Sequence, residues 1–275
     1  MTAQCRSPLA LCVAVVIAGC GDAGERSARD DTAPPPPAAE TAREAPGASG
    51  RDATSRRKYE VVDVTAAGRI RGSVRFIGTL PPPRTFTVGK ESAACGTSRQ
   101  FHPIVVGSGG GLIDAVVSLT DIDHGAAQSP PSSPPDLVQH GCRFTPHVVV
   151  VPEGGTVEVL NNDPLTHNLH TAAFDNRSVN RSQPRGSPEL ELSFTAAEKV
   201  KVACDIHPWM SAWIVVTDRP YTAVTDEDGS FVLEQVPPGT YTLEVWHEAL
   251  GARSRPVTVT AGQTTELRIE WDGPA

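Results

Sequence analysis

Cys204-Asp205-Ile206-His207-Pro208-Trp209-Met210 is the stretch that decides how this chain is read, taken with Asn161-Asn162-Asp163-Pro164-Leu165-Thr166-His167-Asn168 upstream. If the two stretches lie side by side, one thiolate, two imidazoles and one thioether converge. Soft sulfur and borderline nitrogen donors of this kind suit a copper ion in both oxidation states. Met210 makes the pattern specific, because the chain holds 2 methionines and the other is Met1. A Cys-x-x-His pair alone is weak evidence. The same pair closed three residues later by the single internal Met, with a His-Asn step after a strand-like run, is a stronger signal.

Hydrophobic alternation sets both stretches between strands. Thr156-Val157-Glu158-Val159-Leu160 turns Val157 and Val159 to one face, and Val200 and Val202 lead directly into Cys204. Val148 to Val151, Leu190-Leu192-Phe194 and Ala212 to Thr217 read as further strands, and His167 to Thr171 starts another. Upstream, Tyr59 to Val64 is a short strand, and Gly68 to Phe76 and Leu112 to Leu119 are longer ones. Beyond Asp218-Arg219-Pro220, alternation recurs at Phe231 and Leu233, Tyr241 to Val245, Val257 and Val259, and Leu267 and Ile269. Turns at Asp226-Glu227-Asp228-Gly229, Pro237-Pro238-Gly239 and Gly262 separate these runs. Gly125 to Pro135 and Asp175 to Pro188 read as polar surface loops. The expected fold class is all-β, and 24 glycines, 25 prolines and 5% aromatic residues agree with turn-rich sheets.

The formal charge of -8, with no basic patch interleaved with aromatics, excludes nucleic acid as a partner. Gly107 to Gly111 has no Lys-Ser/Thr after it, so it is a flexible turn and not a phosphate cradle. No Ser/His/Asp order or carboxylate pair suggests hydrolytic catalysis. Asp226 and Asp228 read as structural turn residues.

The N-terminus carries a targeting pattern. Arg6 precedes an apolar run from Leu9 to Ala18, too short for an ordinary membrane span, which ends in Ile17-Ala18-Gly19-Cys20. This resembles a bacterial lipobox, which implies a signal over 1–19 and lipidation of Cys20, with the chain tethered to a membrane. An uncleaved anchor and an ordinary secretory signal are the alternatives. Residues 20–57, rich in Ala, Pro and charge, read as a disordered tether. Of the 6 cysteines, Cys5 and Cys12 go with the signal. If Cys204 is a metal thiolate, Cys95 and Cys142 remain as a disulfide pair in an oxidising compartment; otherwise they are two buried thiols.

Phe144-x-Pro146 before a valine run, a glycine turn, Val157-x-Val159-x-Asn161, His167-Asn168 and Cys204-x-x-His207-Pro208-x-Met210 together resemble the cupredoxins, the blue-copper proteins. The short ligand loop is most similar to that of the amicyanin type, and the match spans about residues 142–217. The resemblance implies a Greek-key β-sandwich holding one copper per chain at one end. His167 and His207 would bind through a ring nitrogen, Cys204 as thiolate and Met210 as a weak axial donor. Asn168 would tie the two ligand loops together, its backbone N–H towards the Cys204 sulfur, with Pro208 following the second histidine. Family members dock redox partners on an apolar patch around that histidine, and Trp209 belongs either to such a patch or to the packing of the loop.

Two other histidines stay open. His170 is either a surface residue, since it lies three positions from His167 on an extended strand, or an additional ligand. His147 is either structural or part of a second metal site with His170 and Cys142.

Residues 220–271 resemble the carboxypeptidase regulatory-like domain, through Thr225-Asp226-Glu227-Asp228-Gly229-x-Phe231 and Pro238-Gly239-x-Tyr241-x-Leu243. The expected organisation is a cupredoxin-like domain over 58–218 followed in tandem by a small antiparallel β-sandwich over 219–275. Because Gly68 to Phe76 and Ala115 to Leu119 also resemble the first strands of that second sandwich, the alternative is a cupredoxin-like part inserted into it. The expected function is a membrane-tethered periplasmic electron carrier, passing electrons to or from another redox protein at the cell envelope, and not an enzyme. A copper-binding, chaperone or structural module is the alternative.

Overall fold

The computed structural model describes residues 58–273; the expected signal (1–19), Cys20 and the tether (20–57) lie outside the described residues. The chain begins with β1 (Glu60–Val61), β2 (Gly68–Phe76), β3 (Arg84–Thr87), α1 (Ser92–Cys95), β4 (Ser98–Phe101), β5 (Val116–Leu119) and β6 (His124–Gly125). It continues through β7 (Asp136–Gln139), β8 (Phe144–Thr145), β9 (Val148–Pro152), β10 (Thr156–Asn161), β11 (His167–Ala172), β12 (Asn180–Gln183), β13 (Leu190–Ser193), β14 (Lys199–Ala203) and β15 (Ser211–Thr217). It closes with β16 (Thr222–Val224), β17 (Ser230–Val236), β18 (Gly239–His247), β19 (Gly251–Val259) and β20 (Thr264–Trp271). The described part is thus an all-β protein with one short helical turn. No helix among the described residues is long and apolar enough to cross a membrane.

Residues 136–217 form one sandwich, from a sheet ordered β13-β10-β7-β8 and a sheet ordered β12-β11-β14-β15-β9. Period-two alternation buries one face of each sheet against the other. Val157 and Val159 of β10, Leu169 of β11, Val200 and Val202 of β14 and Ile214 of β15 are all 0% exposed. Each such side chain stabilises the fold by about 1.5–3 kcal/mol relative to exposure. The parity of these strands also delivers the site: Asn161 follows Val157 and Val159 inward, and Cys204 follows Val200 and Val202.

The second sandwich pairs a sheet ordered β16-β5-β18-β19 with a sheet ordered β17-β2-β20. It is discontinuous in sequence. β5 pairs with β16 and β18, and β2 lies between β17 and β20, so the first sandwich occupies the chain between β5 and β16. A boundary at residue 218 therefore does not separate the sheets. The Asp226–Gly229 turn is held by the Asp226 carboxylate, which accepts N–H bonds from Asp228 (2.9 Å) and Ser230 (2.8 Å). Gly229 (φ +73°) is required there, since a Cβ would meet Val74 O at 2.2 Å.

The sandwiches meet through Val116, Val148 and Val215, with Trp213 packed edge-on to Trp246 at 4.9 Å. Glu248 accepts hydrogen bonds from His147 Nε2 (2.7 Å) and Trp213 Nε1 (2.8 Å), and Lys199 pairs with Glu244 at 3.1 Å. The β3–α1–β4 segment belongs to neither sandwich sheet. It packs Val88 and Cys95 into the core of the first sandwich, and Cys95 forms a disulfide with Cys142.

Candidate metal centre

Two loops at one end of the first sandwich build the site. In the first, Asn161 is turned inward by strand parity, and its amide donates to Leu165 O (2.9 Å) and Gln183 O (2.8 Å) while accepting from Asp163 N–H (3.0 Å). This fixes the 161–167 loop and brings His167 to the start of β11. The second loop is closed on itself: Cys204 N–H donates to Met210 O at 3.2 Å, and Met210 N–H to His207 O at 2.9 Å. Asn168 joins the two, its N–H pointing at Cys204 Sγ (3.4 Å) and its Oδ1 accepting from Asp205 N–H (3.1 Å).

The structure brings His167, Cys204 and His207 together, their ligand atoms all within 4.8 Å of one another. His167 Nδ1 lies 3.0 Å from His207 Nδ1, and Cys204 Sγ lies 3.5 Å from His207 Nδ1. Exposure is 0% for His167, 2% for Cys204, 1% for His207 and 2% for Met210, which packs in the same core cluster as Cys204. Cys204 is a free cysteine.

Each imidazole is backed by a carboxylate. His167 Nε2 lies 2.7 Å from Asp163 Oδ2, and His207 Nε2 lies 3.1 Å from Glu91 Oε2. A carboxylate only accepts, so the hydrogens belong on the Nε2 atoms. Both Nδ1 lone pairs then face each other and the sulfur. Two imidazole lone pairs turned to one point beside a sulfur are what a bound cation satisfies, and carboxylate-backed histidines are how such rings are oriented. Two nitrogens with a thiol sulfur and a thioether nearby are a donor set of the soft and borderline kind that can hold a transition-metal ion.

Asp163 also accepts N–H bonds from Gly141 (2.7 Å) and Cys142 (2.8 Å). Both donors sit in the left-handed region, Gly141 at φ 59° and Cys142 at φ 57°, a conformation unusual for Cys that these bonds help to hold. Burial alone would raise the Asp163 carboxyl, but the His167 hydrogen bond and these two N–H groups hold it below the usual carboxylate range. Burial lowers His167, against the opposing pull of Asp163, and keeps its imidazole neutral.

His170 and His147 are placed elsewhere. His170 faces away from the core and bonds Asp205 through Nδ1 at 2.9 Å, while His147 bonds Glu248 and Ser211 O. Cys142, Asp163 and His167 also converge within 4.8 Å, but the Cys142 sulfur is bound to Cys95 and has no thiolate to offer. Pro208 is exposed beside the buried His207. Trp209 is half-buried, its ring 5.1 Å from His207 and 6.1 Å from Phe86, and its Nε1 donates to Cys142 O at 3.1 Å.

Sequence reasoning did not single out Asp163 or Glu91. Asp163 carries a weak signal, lying four residues before His167. Glu91 carries none, being 116 residues from the ring it touches.

Residues 201–272 match the carboxypeptidase regulatory-like domain. The matched stretch starts inside β14, although the sheets place β14 and β15 in the first sandwich. No curated protein matches the sequence. Among solved structures, a Cu-containing nitrite reductase from Thermus scotoductus SA-01 is similar at 23% identity over 34% of this chain and 24% of that chain, with a TM-score of 0.30. The chain thus spans about a quarter of the reductase. A mutant of amicyanin in its reduced Cu(I) form is similar at 21% identity over 33% of this chain and 94% of that one, with a TM-score of 0.29. A purple cupredoxin from Nitrosopumilus maritimus is similar at 20% identity over 30% of this chain and 99% of that one, with a TM-score of 0.27.

Proposed function

We propose that this chain is a mononuclear copper protein of the cell envelope that transfers electrons, its first sandwich a Greek-key cupredoxin. The observation that carries the reading is the facing of two imidazole Nδ1 atoms and one free thiol sulfur in a buried pocket, with each Nε2 backed by a carboxylate. His167, Cys204 and His207 would hold the copper, with the Met210 thioether as a weaker fourth donor. Bound there, copper supplies a one-electron couple between Cu(II) and Cu(I).

The residues around it do the rest. The hydrogen bonds of Asn161, Asn168 and Asp163 fix the donors before any metal arrives, which keeps rearrangement between oxidation states small. Burial of all four side chains keeps the donors out of bulk solvent, which favours electron transfer over catalysis. The lipobox-like N-terminus supports a lipid-anchored periplasmic location, with another redox protein as partner.

Adding Cu(II) to the purified metal-free chain tests this reading. An intense visible thiolate-to-copper charge-transfer band at one copper per chain, absent in Cys204→Ser, supports it. No uptake, or weak uptake without that band, rejects electron transfer in favour of a structural or copper-storing module.

A further inference from the structure

We propose that Glu91 is a positioning residue for His207, and that the Arg84–Phe101 segment carrying it is a built-in cover over the histidine edge of the site. For the metal's potential this rests on the copper reading above; for the ring it rests on the metal-free geometry alone. His207 is 1% exposed, although Ile206 before it is 45% exposed and Pro208 after it is exposed too. Its immediate sequence neighbours therefore do not bury it. The cover does: Glu91 Oε2 meets Nε2 at 3.1 Å, and Phe86 lies against Trp209, which lies against His207.

The cover is anchored at several points. β3 and β4 form their own hairpin, Val88 and Cys95 are buried in the first sandwich's core, Cys95 is bridged to Cys142, and Arg99 Nη2 donates to Gly141 O at 2.6 Å. Two of these anchors, the disulfide and the Arg99 bond, converge on Gly141 and Cys142, the two residues whose N–H groups hold Asp163. The same short turn thus ties down the carboxylates behind both imidazoles.

Two consequences follow. With Nε2 tied to Glu91, His207 keeps Nδ1 turned towards Cys204, since a ring flip breaks a charge-assisted bond. A carboxylate on that ring also favours the more highly charged oxidation state of whatever redox metal the ring binds. Closure of this edge leaves the 280 Å³ recess lined by Arg84, Lys201, Cys204, Pro208 and Met210 as an open approach to the centre.

The test compares Glu91→Gln and Glu91→Ala in the full chain, by two readouts. In the metal-free chain, ¹⁵N NMR of the His207 ring is expected to show hydrogen on Nε2 in wild type and in Glu91→Gln, whose amide oxygen still accepts, and loss of that preference in Glu91→Ala. In the copper-loaded chain, both variants are expected to raise the reduction potential through a roughly tenfold change in relative Cu(II) to Cu(I) affinity, about 59 mV. Hydrogen on Nδ1 in wild type, or an unchanged tautomer in Glu91→Ala, overturns the positioning role. An unchanged potential in the near-isosteric Glu91→Gln overturns the charge role. If the chain takes no copper, the proposed function fails while the metal-free spectrum still decides the role of Glu91.

Discussion

His167 Nδ1 and His207 Nδ1 face each other at 3.0 Å, and a carboxylate stands behind each ring. Asp163 and Glu91 orient the two rings from behind, so that both Nδ1 atoms turn to the same point. Asp163 has the larger share, because its two oxygens also hold the Gly141–Cys142 turn.

Asp163→Asn removes that double role. An amide offers one acceptor oxygen, so its NH₂ must face either the His167 and Cys142 donors or the Gly141 donor. Copper affinity is expected to fall about 10–100-fold, measured by competition with a chelator. The lost buried bonds should also cost about 1–3 kcal/mol of stability. Wild-type affinity in this variant would show that the carboxylate behind His167 does not orient it.

The Cys95–Cys142 bridge closes a long loop, with 47 residues of sequence separation. Chain entropy alone assigns such a cross-link about 4 kcal/mol. The Cys95→Ala/Cys142→Ala double variant should lose up to that amount in chemical denaturation. The loss should be accompanied by faster amide exchange in 84–101, because the bridge joins that segment to the first sandwich. Unchanged exchange there would mean that Val88, Phe86 and Glu91 hold the segment without it.

How far the sequence reaches follows from the same residues. Val157, Val159 and Asn161, or Val200, Val202 and Cys204, announce both their strands and their inward face by parity, so the sandwich strands and the candidate donors are legible. β7 and β12 are not, and they fall at the end of, or inside, stretches that read as loops. β7 buries only Leu137 and Gln139 and β12 only Gln183, too little apolar patterning to mark a strand, and both form because neighbouring strands offer them hydrogen bonds. The cover is illegible for a related reason. Its hairpin is mostly exposed, and its contacts with Gly141, Cys142 and His207 are made far along the chain. Strand order in the second sandwich rests on the parallel pairing of β2 with β20, which alternation cannot express.

Where the sandwiches meet, Glu248 accepts from both His147 Nε2 and Trp213 Nε1. Burial alone would raise its carboxyl, but the His147 bond and charge, with Trp213, hold it below the usual range. Glu248→Ala strands both donors and is expected to cost about 3 kcal/mol, with Glu248→Gln recovering part of it. Denaturant unfolding measures the difference, and the copper band should be unaffected because neither donor belongs to the His167–Cys204–His207 cluster. A loss below about 0.5 kcal/mol would place this contact with ordinary surface pairs.

His247, adjacent in sequence, behaves in the opposite way to His147. It is 3% exposed, and its Nδ1 accepts the Ala249 N–H at 3.2 Å, a bond that protonation of that nitrogen would abolish. Burial, with His147 adding to it and Glu248 opposing, lowers its pKa from the ordinary 6.5 to about 4. Between those values the unfolded chain binds the proton and the folded chain does not, so this residue's contribution to stability falls as pH drops from 6.5 to about 4 and levels off below. The span corresponds to about 3 kcal/mol. His147, raised by Glu248 in spite of its burial, runs the other way, gaining stability as pH falls through its folded value. The whole protein's profile therefore mixes the two, and a difference isolates one. Subtracting the stability of His247→Gln from that of wild type across this window should give a curve that declines towards about pH 4, since only wild type must protonate a buried ring. A flat difference would mean that the folded chain takes up this proton as readily as the unfolded one, so that burial does not hold the His247 pKa down.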